Sequence, residues 1–458
     1  MAISSMTGIF FWGFLLAYGA IMFALSPRSV TLGGFFNGED NAGRPASPLL
    51  LTISIFISWI FAKSVTNAAN LGAEFGLVGG LAYATYWLSI PLCGYVIYRL
   101  RRQFGATSMV SFLTSNYGRG AALAFSAAIL IRLFNEIWSN TAVVGGYYGE
   151  SGSTPFILAA LLFTAVTLAY SLRGGLRSSI LTDAAQAAIF VVALVWVLGL
   201  VLPNHSVSEL SSTSSWAMNA GVDLFLVACL QLFSYPFHDP VLTDRGFITE
   251  EKTMLRAFTL AGVLGFFAIL AFSLIGVHAS LSGIEASGNV PAELAKTMGI
   301  GALIVMTLVM ISAAGSTLDS AFSSLARLTG RELPALAGRN LGQKAIAVGM
   351  LAMVLFAVFG NLPMLAGTDI LKATTISGTM VIGLAPVFIL HGVVRPTRLG
   401  FHLSFWCGLL LGVALILNWI PASWAIGDGR YALLLGVNLY GLILCTAAYL
   451  LCGMRRTA

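Results

Sequence analysis

The stretch richest in side chains able to do chemistry is Ile311-Ser-Ala-Ala-Gly-Ser-Thr-Leu-Asp-Ser-Ala-Phe-Ser-Ser-Leu-Ala326, a string of small hydroxyl residues with one carboxylate in apolar surroundings. On a helix Ala313, Ser316, Thr317, Ser320 and Ser324 share one oxygen-rich stripe, and Ser312, Ser316, Asp319 and Ser323 form an adjoining one. Two neighbouring hydroxyls and a carbonyl freed near Gly315 suit a small hard cation, which is held by oxygens. The same residues also suit close packing of helices in lipid, each hydroxyl bonding back to a carbonyl one turn earlier. Spacing alone leaves both readings open.

Other polar groups fall inside long apolar runs, where they are costly to place and are therefore candidates for function. Lys63 lies about 22 Å into its run, at the usual rise per helical residue. The segment Phe61-Ala-Lys-Ser-Val-Thr-Asn-Ala-Ala-Asn70 around it, which includes Ser64 and Asn67, is poor lipid-facing helix. It predicts a break whose freed backbone groups line a cavity. Arg132 and Glu136, one helical turn apart at a similar depth, could pair with each other. Two cations and one carboxylate would then leave a positive charge for an anionic solute group, and the forked donors of Arg suit a carboxylate. A structural ion pair is the competing reading. Asp183 reads as a lone carboxylate, either a charge at a helix start or a waypoint for a cation. Gln231-Leu-Phe-Ser-Tyr-Pro-Phe-His-Asp-Pro240, with Gln231 and Ser234, must break a helix at its prolines. His238 beside Asp239 has no placed nucleophile and reads as a gate or interface. No catalytic site is expected, for G-x-S-x-G, H-E-x-x-H, Walker A and C-x-x-C patterns are all absent.

The elements that hold these groups are membrane helices. The chain of 458 residues is 58% hydrophobic and 9% charged, against about 25% charged in an ordinary soluble domain. The five cysteines all lie in apolar segments, which argues against a disulfide framework or metal site. Runs long enough for a membrane core of ~30 Å fall at 7–25, 49–69, 76–98, 121–147, 154–171, 179–202, 217–237, 254–280, 295–327, 343–361, 371–394, 400–420 and 431–452. Of the 24 Lys and Arg, Lys63 and Arg132 lie within runs and Lys296, Lys372 and Arg430 on one side. The other nineteen fall on the opposite side without an inversion. This predicts thirteen all-α spans with the N-terminus outside and the C-terminus cytoplasmic. The net charge of +6 is thereby explained by topology, and no nucleic-acid partner is expected. The first run carries no basic residue before it and no A-x-A-type site after it, so it is expected to be a retained span.

In order and spacing the chain resembles the sodium/solute symporter family. The resemblance rests on Ser316-Thr-Leu-Asp-Ser320, on Gly174-Gly-Leu-Arg followed by Thr182-Asp-Ala-Ala-Gln186, and on Asp244-Arg245 after the broken seventh run. It covers nearly the whole length. The chain departs from the family at Lys63, and at Asn67, Ala69 and Asn70, where members usually carry Gly or Pro. The resemblance implies a LeuT-like five-plus-five inverted repeat, with repeats at 49–202 and 217–394, an extra N-terminal helix at 7–25 and two extra C-terminal helices at 400–452. It implies a sodium site built from the hydroxyls of Ser316 and Thr317 and the carbonyl of Ala313, completed by carbonyls of Ile57 and Ile60, with Asp183 on the ion exit path. The expected function is sodium-coupled import of a small polar solute by alternating access. An amino acid or organic acid would engage Lys63, Ser64, Asn67, Arg132, Glu136, Gln231 or Ser234. A proton-coupled carrier or uniporter with Lys63 in place of the cation is the alternative, and a membrane sensor or enzyme a more distant one. Expected partners are sodium, the solute and the lipid bilayer of a bacterial inner membrane; a homo-oligomer is left open.

Overall fold

Hydrocarbon offers a backbone no hydrogen bonds, so segments that cross it must satisfy their own amides, and helices do so. The computed structural model describes residues 5–284, 288–365 and 377–454, and of these the side chains of 5–10 and 365 are not described. Lys372, Arg455, Arg456 and the first part of the expected 371–394 span lie outside the described residues.

The described helices are α1 (Ser5–Leu25), α2 (Leu32–Asn37), α3 (Pro48–Ser58), α4 (Ala62–Ala84), α5 (Ser89–Phe104), α6 (Met109–Tyr117) and α7 (Arg119–Gly146). They continue with α8 (Thr154–Gly174), α9 (Leu176–Val201), α10 (Val207–Ser212), α11 (Val222–Gln231), α12 (Pro240–Thr243) and α13 (Glu251–Leu281). The remainder are α14 (Val290–Thr297), α15 (Ile300–Arg327), α16 (Leu333–Leu336), α17 (Lys344–Phe359), α18 (Leu362–Leu365), α19 (Leu384–Ile389), α20 (Arg398–Ile416) and α21 (Ala432–Met454). Nine helical stretches among the described residues are long and apolar enough to cross a membrane. Three shorter apolar helices, Phe11–Leu25, Pro48–Ser58 and Val222–Gln231, accompany them. The all-α membrane fold expected from the sequence is therefore present.

The interruption in the second expected span is real but displaced. Helix α3 starts where Ser47 accepts from the Leu50 N–H with Pro48 in the first turn, a start signal that uses groups unsatisfied there in any case. It stops at Ser58, and α4 resumes at Ala62. Of the segment 61–70 expected to hold the break, Phe61 falls in it, and the polar residues 63–70 are the first two turns of the next helix. Helix α4 bends again at Gly76, whose φ of 61° and ψ of −143° are non-helical and lie where a side chain would be strained. The seventh expected span is likewise interrupted, for α11 ends at Gln231 and Tyr235–His238 forms a single 3₁₀ turn containing Pro236.

The chain divides into two compact units, each assembled from three separated segments. The first comprises 1–66, 133–199 and 291–368. Within it α15 packs on α3, α8 and α17, and α1 packs on α8. The second comprises 67–132, 200–290 and 369–458. There α5 packs on α13, α20 on α21, and α11 on α21. Helices α4 and α13 cross at backbone distance: a Cβ on Gly276 would lie 1.8 Å from the Ala69 carbonyl oxygen, and one on Gly72 would lie 2.2 Å from that of Ser273.

Candidate functional site

In the first unit, the broken helix, α9 and α15 converge on a polar centre. Residues 309–326 of α15 are all buried, which removes lipid as the neighbour of its hydroxyl stripes. Ser316 Oγ donates to Asp183 Oδ1 at 2.7 Å, and Thr317 Oγ1 donates to the carbonyl of Ser58, the last residue of α3, at 3.2 Å. Ser54 and Ser58 donate to Asp183 Oδ2 at 2.5 and 3.2 Å. The carbonyl that meets Thr317 is therefore Ser58's. That of Ile57 already accepts the Ile60 N–H at 3.0 Å. Ala313, Ile57 and Ile60 are buried with them.

Asp183 is not a lone carboxylate. It shares this centre with Asp319, which accepts from Ser179 at 2.7 Å, Thr182 at 2.9 Å and Tyr170 at 3.1 Å. Ser320 bridges the two sets, bonding to Ser58 Oγ at 3.0 Å and to Ser179 Oγ at 2.9 Å. Both aspartates are completely buried. No Lys, Arg or His pairs with Asp319 among the described residues. Two carboxylates brought together out of water disfavour being ionised at once unless a cation or a proton joins them. Gly315 admits the ring of Tyr18, whose hydroxyl would meet a Cβ there at 2.1 Å. Asp319, Ser54, Ser58 and Tyr170 had no assigned role in the sequence. The visible signal was that Asp319 shares a helical face with Ser316, and that Ser179 and Thr182 flank Asp183 in one motif.

Beside the break, Lys63 Nζ lies 2.6 Å from Glu136 Oε1, and neither side chain is exposed at all. Glu136 Oε2 also accepts from Asn140 at 3.0 Å. The Asn140 side-chain oxygen accepts the Ala62 N–H at 3.0 Å, one of the donors left unsatisfied where α4 begins. In this way α7 caps the resumed helix. Ser64 is buried in its first turn.

Within the second unit Arg132 pairs with Asp239, not with Glu136: its guanidinium is 2.8 Å from Asp239 Oδ2 and lies over the Tyr235 ring at 5.2 Å. The expected surplus positive charge is thereby corrected, because each of the two deep cations has its own carboxylate. The neighbouring His238 and Asp239 have different partners, the His ring turning to the Tyr235 carbonyl at 2.6 Å. Gln231 accepts from Tyr86 at 2.8 Å and donates to Asn438 at 3.0 Å, while Asn438 donates to Thr379 at 3.0 Å. Asn67 donates to Tyr83 at 3.2 Å, and Tyr83 packs against Tyr86 and Trp87. Ser234 closes the end of α11 on the Gln231 carbonyl at 3.5 Å. The unit thus holds a neutral cluster of amides and phenols around aromatic faces.

No protein-family model matches the chain. Among curated proteins it is similar to the sodium/glucose cotransporter 4 of Danio rerio, 26% identical over 187 residues, covering 40% of this chain and 28% of that protein. It is similar also to the sodium/pantothenate symporter of Escherichia coli (strain K12), 22% identical over 207 residues, or 43% of this chain and 42% of the other. The matched stretch is thus well under half of either relative. Among solved structures it superposes on a Na+-coupled sialic acid symporter in a substrate-bound outward-open state, with TM-score 0.74, 14% identity and coverage of 96% and 97% of the two chains. It also superposes on Mhp1, a nucleobase-cation-symport-1 family transporter, in a closed conformation, with TM-score 0.60, 14% identity and coverage of 92% and 95%.

Proposed function

We propose, from the premise that this chain is a relative of the sodium/solute symporters with their LeuT-like fold, that it imports a small polar organic solute by coupling it to inward sodium flow. The observation that carries this reading is the meeting of Ser316, Thr317 and the Ser58 carbonyl beside the buried carboxylates of Asp183 and Asp319. A dehydrated sodium ion needs several oxygens at once and gains from nearby negative charge. The ligands proposed are the two hydroxyls with carbonyls of Ala313 and of the α3 end, where Ile57, Ser58 and Ile60 are the candidates. Binding there would tie α15 to the broken helix, and loss of the ion would release it. That change is the conformational step proposed for alternating access, with the two repeats rocking as the ion and solute leave. Each sodium moving inward contributes about 2.3 kcal/mol per 100 mV of membrane potential, which corresponds to roughly fifty-fold accumulation of solute.

The proposed solute is held by Asn67 and Gln231 with Tyr83 and Tyr86, groups that offer both donors and acceptors without net charge. A free carboxylate on Lys63 or Arg132 has lost its motive, since Glu136 and Asp239 already neutralise those cations. Lys63, bonded in this way, is also a poor substitute for the coupling ion. A proton is the second reading, and what favours it is Asp319, a buried acid beside another acid with only hydroxyl donors. Reconstituted full-length protein with Ser316→Ala and Thr317→Ala should lose sodium-driven uptake at least tenfold while keeping its thermal stability. Full sodium dependence in that double variant would overturn the site, and uptake unchanged when choline replaces sodium would favour the proton.

A further inference from the structure

We propose that His205 and His278 form a two-imidazole site for a divalent transition cation of the zinc or nickel class, independent of the sodium-coupled reading. Nε2 of His205 lies 2.7 Å from Nδ1 of His278, and the ring centroids are 4.9 Å apart with planes at 60°. Both residues are half-buried. They are 73 positions apart, and both belong to the second unit, where they join the turn after α9 to the last turn of α13.

A hydrogen bond alone gives a weak reason for this arrangement, because water competes for both half-exposed rings. It also requires one ring to be the N–H donor and the other the acceptor. A change of tautomer on the donor leaves two nitrogen lone pairs facing one another, and a borderline cation that turns both rings toward itself is the ligand that takes both. Tetrahedral zinc with bonds of about 2.0–2.1 Å sets its two nitrogens roughly 3.4 Å apart. The present pair would have to open by only about 0.7 Å, which rotation of the rings supplies.

The rings are held ready by backbone that is itself bonded. The His205 N–H donates to Leu202 O at 3.1 Å, and Asn204 bonds the Leu200 and Val201 carbonyls at 2.8 and 3.3 Å. Ser206 opens α10 in a reciprocal capping box with Glu209. His278 sits in a continuous helix. The two segments that carry the pair bring no positive charge of their own. Residues 196–221 and 257–284 contain no Lys or Arg, and Glu209 is close enough to His205 to interact with it electrostatically. No group of three His, Cys, Asp or Glu ligands is present among the described residues. Water would therefore complete the coordination, which makes the site reversible rather than a closed structural centre. Hard ions such as magnesium prefer oxygen and would be rejected.

The experiment is a thermal-unfolding series on the purified full-length protein in detergent without chelator, with zinc, nickel or magnesium added. Zinc and nickel should raise the midpoint by about 2 °C or more, and magnesium should not. His205→Ala and His278→Ala, made singly and together, should abolish that shift while keeping the metal-free midpoint, as expected for half-exposed side chains. Equilibrium dialysis reads the same difference without reference to stability: the double variant should bind one zinc fewer per chain. An unchanged zinc shift and unchanged zinc content in the double variant would overturn the site, whatever the five cysteines bind.

Discussion

A lysine and a glutamate with no exposed surface hold one another in place only while both are charged. Removing one partner takes away the opposite charge that faces the other in a medium that solvates ions poorly, and such changes cost about 3–5 kcal/mol. Glu136→Gln should therefore lower the unfolding free energy by about that amount. It keeps the side-chain oxygen for Asn140 but removes the charge that faces Lys63. Lys63→Met combined with Glu136→Leu should recover most of the loss, because the pair as a whole contributes little net stability once its desolvation is counted. Denaturation of the single and double variants in detergent measures both; a double variant no better than the single would contradict the argument. Lys63, Arg132 and Glu136 were legible in the sequence because a charge in an apolar run stands out. Their partners were not, since Lys63 and Glu136 are 73 positions apart and Arg132 and Asp239 are 107 apart. A one-turn spacing made Arg132 and Glu136 the obvious pair, and tertiary packing overrode it.

At the level of helices, the breaks were legible in kind and misplaced in position. The sequence pattern places the interruption within 61–70, but a resumed helix needs its unsatisfied N-terminal donors met, and the polar residues gather just after the break for that reason. The Ala62 N–H finds Asn140 on α7, a partner no local pattern announces. The α4–α13 crossing was equally invisible, being fixed by glycines whose neighbours lie two hundred residues away. Gly276→Val should prevent α4 from seating, since its Cβ would fall on the Ala69 carbonyl, and we expect little folded protein by size-exclusion chromatography. Gly13→Val has nothing within 4 Å of its Cβ and should fold normally; equal yields of the two would contradict the crossing. Helix α13 also carries a small pH dependence at its start. Glu250 accepts the backbone N–H of Thr253 and then that of Lys252, which holds its carboxyl below the ordinary glutamate range. Its contribution is present above that ordinary range and fades as pH falls through the depressed value. In Glu250→Gln the midpoint should lose that part of its decline in acid, as a melting series against pH would record.

For the whole molecule, composition and the run of apolar segments were enough to make an all-helical membrane protein, and the hydroxyl stripe marked the helix face on which the polar centre of the first unit lies without deciding between a cation site and helix packing. What they could not provide is which units the segments join, because each unit collects three pieces from across the chain. Orientation is the property that remains carried by the sequence alone. Basic residues are retained on the cytoplasmic side during insertion, and nineteen of the 24 fall on one side of the expected spans. Ser206 lies in the basic-poor stretch after α9 and Gln103 in the Arg-rich end of α5, and both are exposed. In a variant with the five native cysteines replaced, Ser206→Cys should react with a membrane-impermeant maleimide added to intact cells, and Gln103→Cys should react only after the cells are opened. The reverse pattern would invert the whole arrangement and with it the direction in which sodium and solute are proposed to move, because the face that loads the ion would then be the cytoplasmic one.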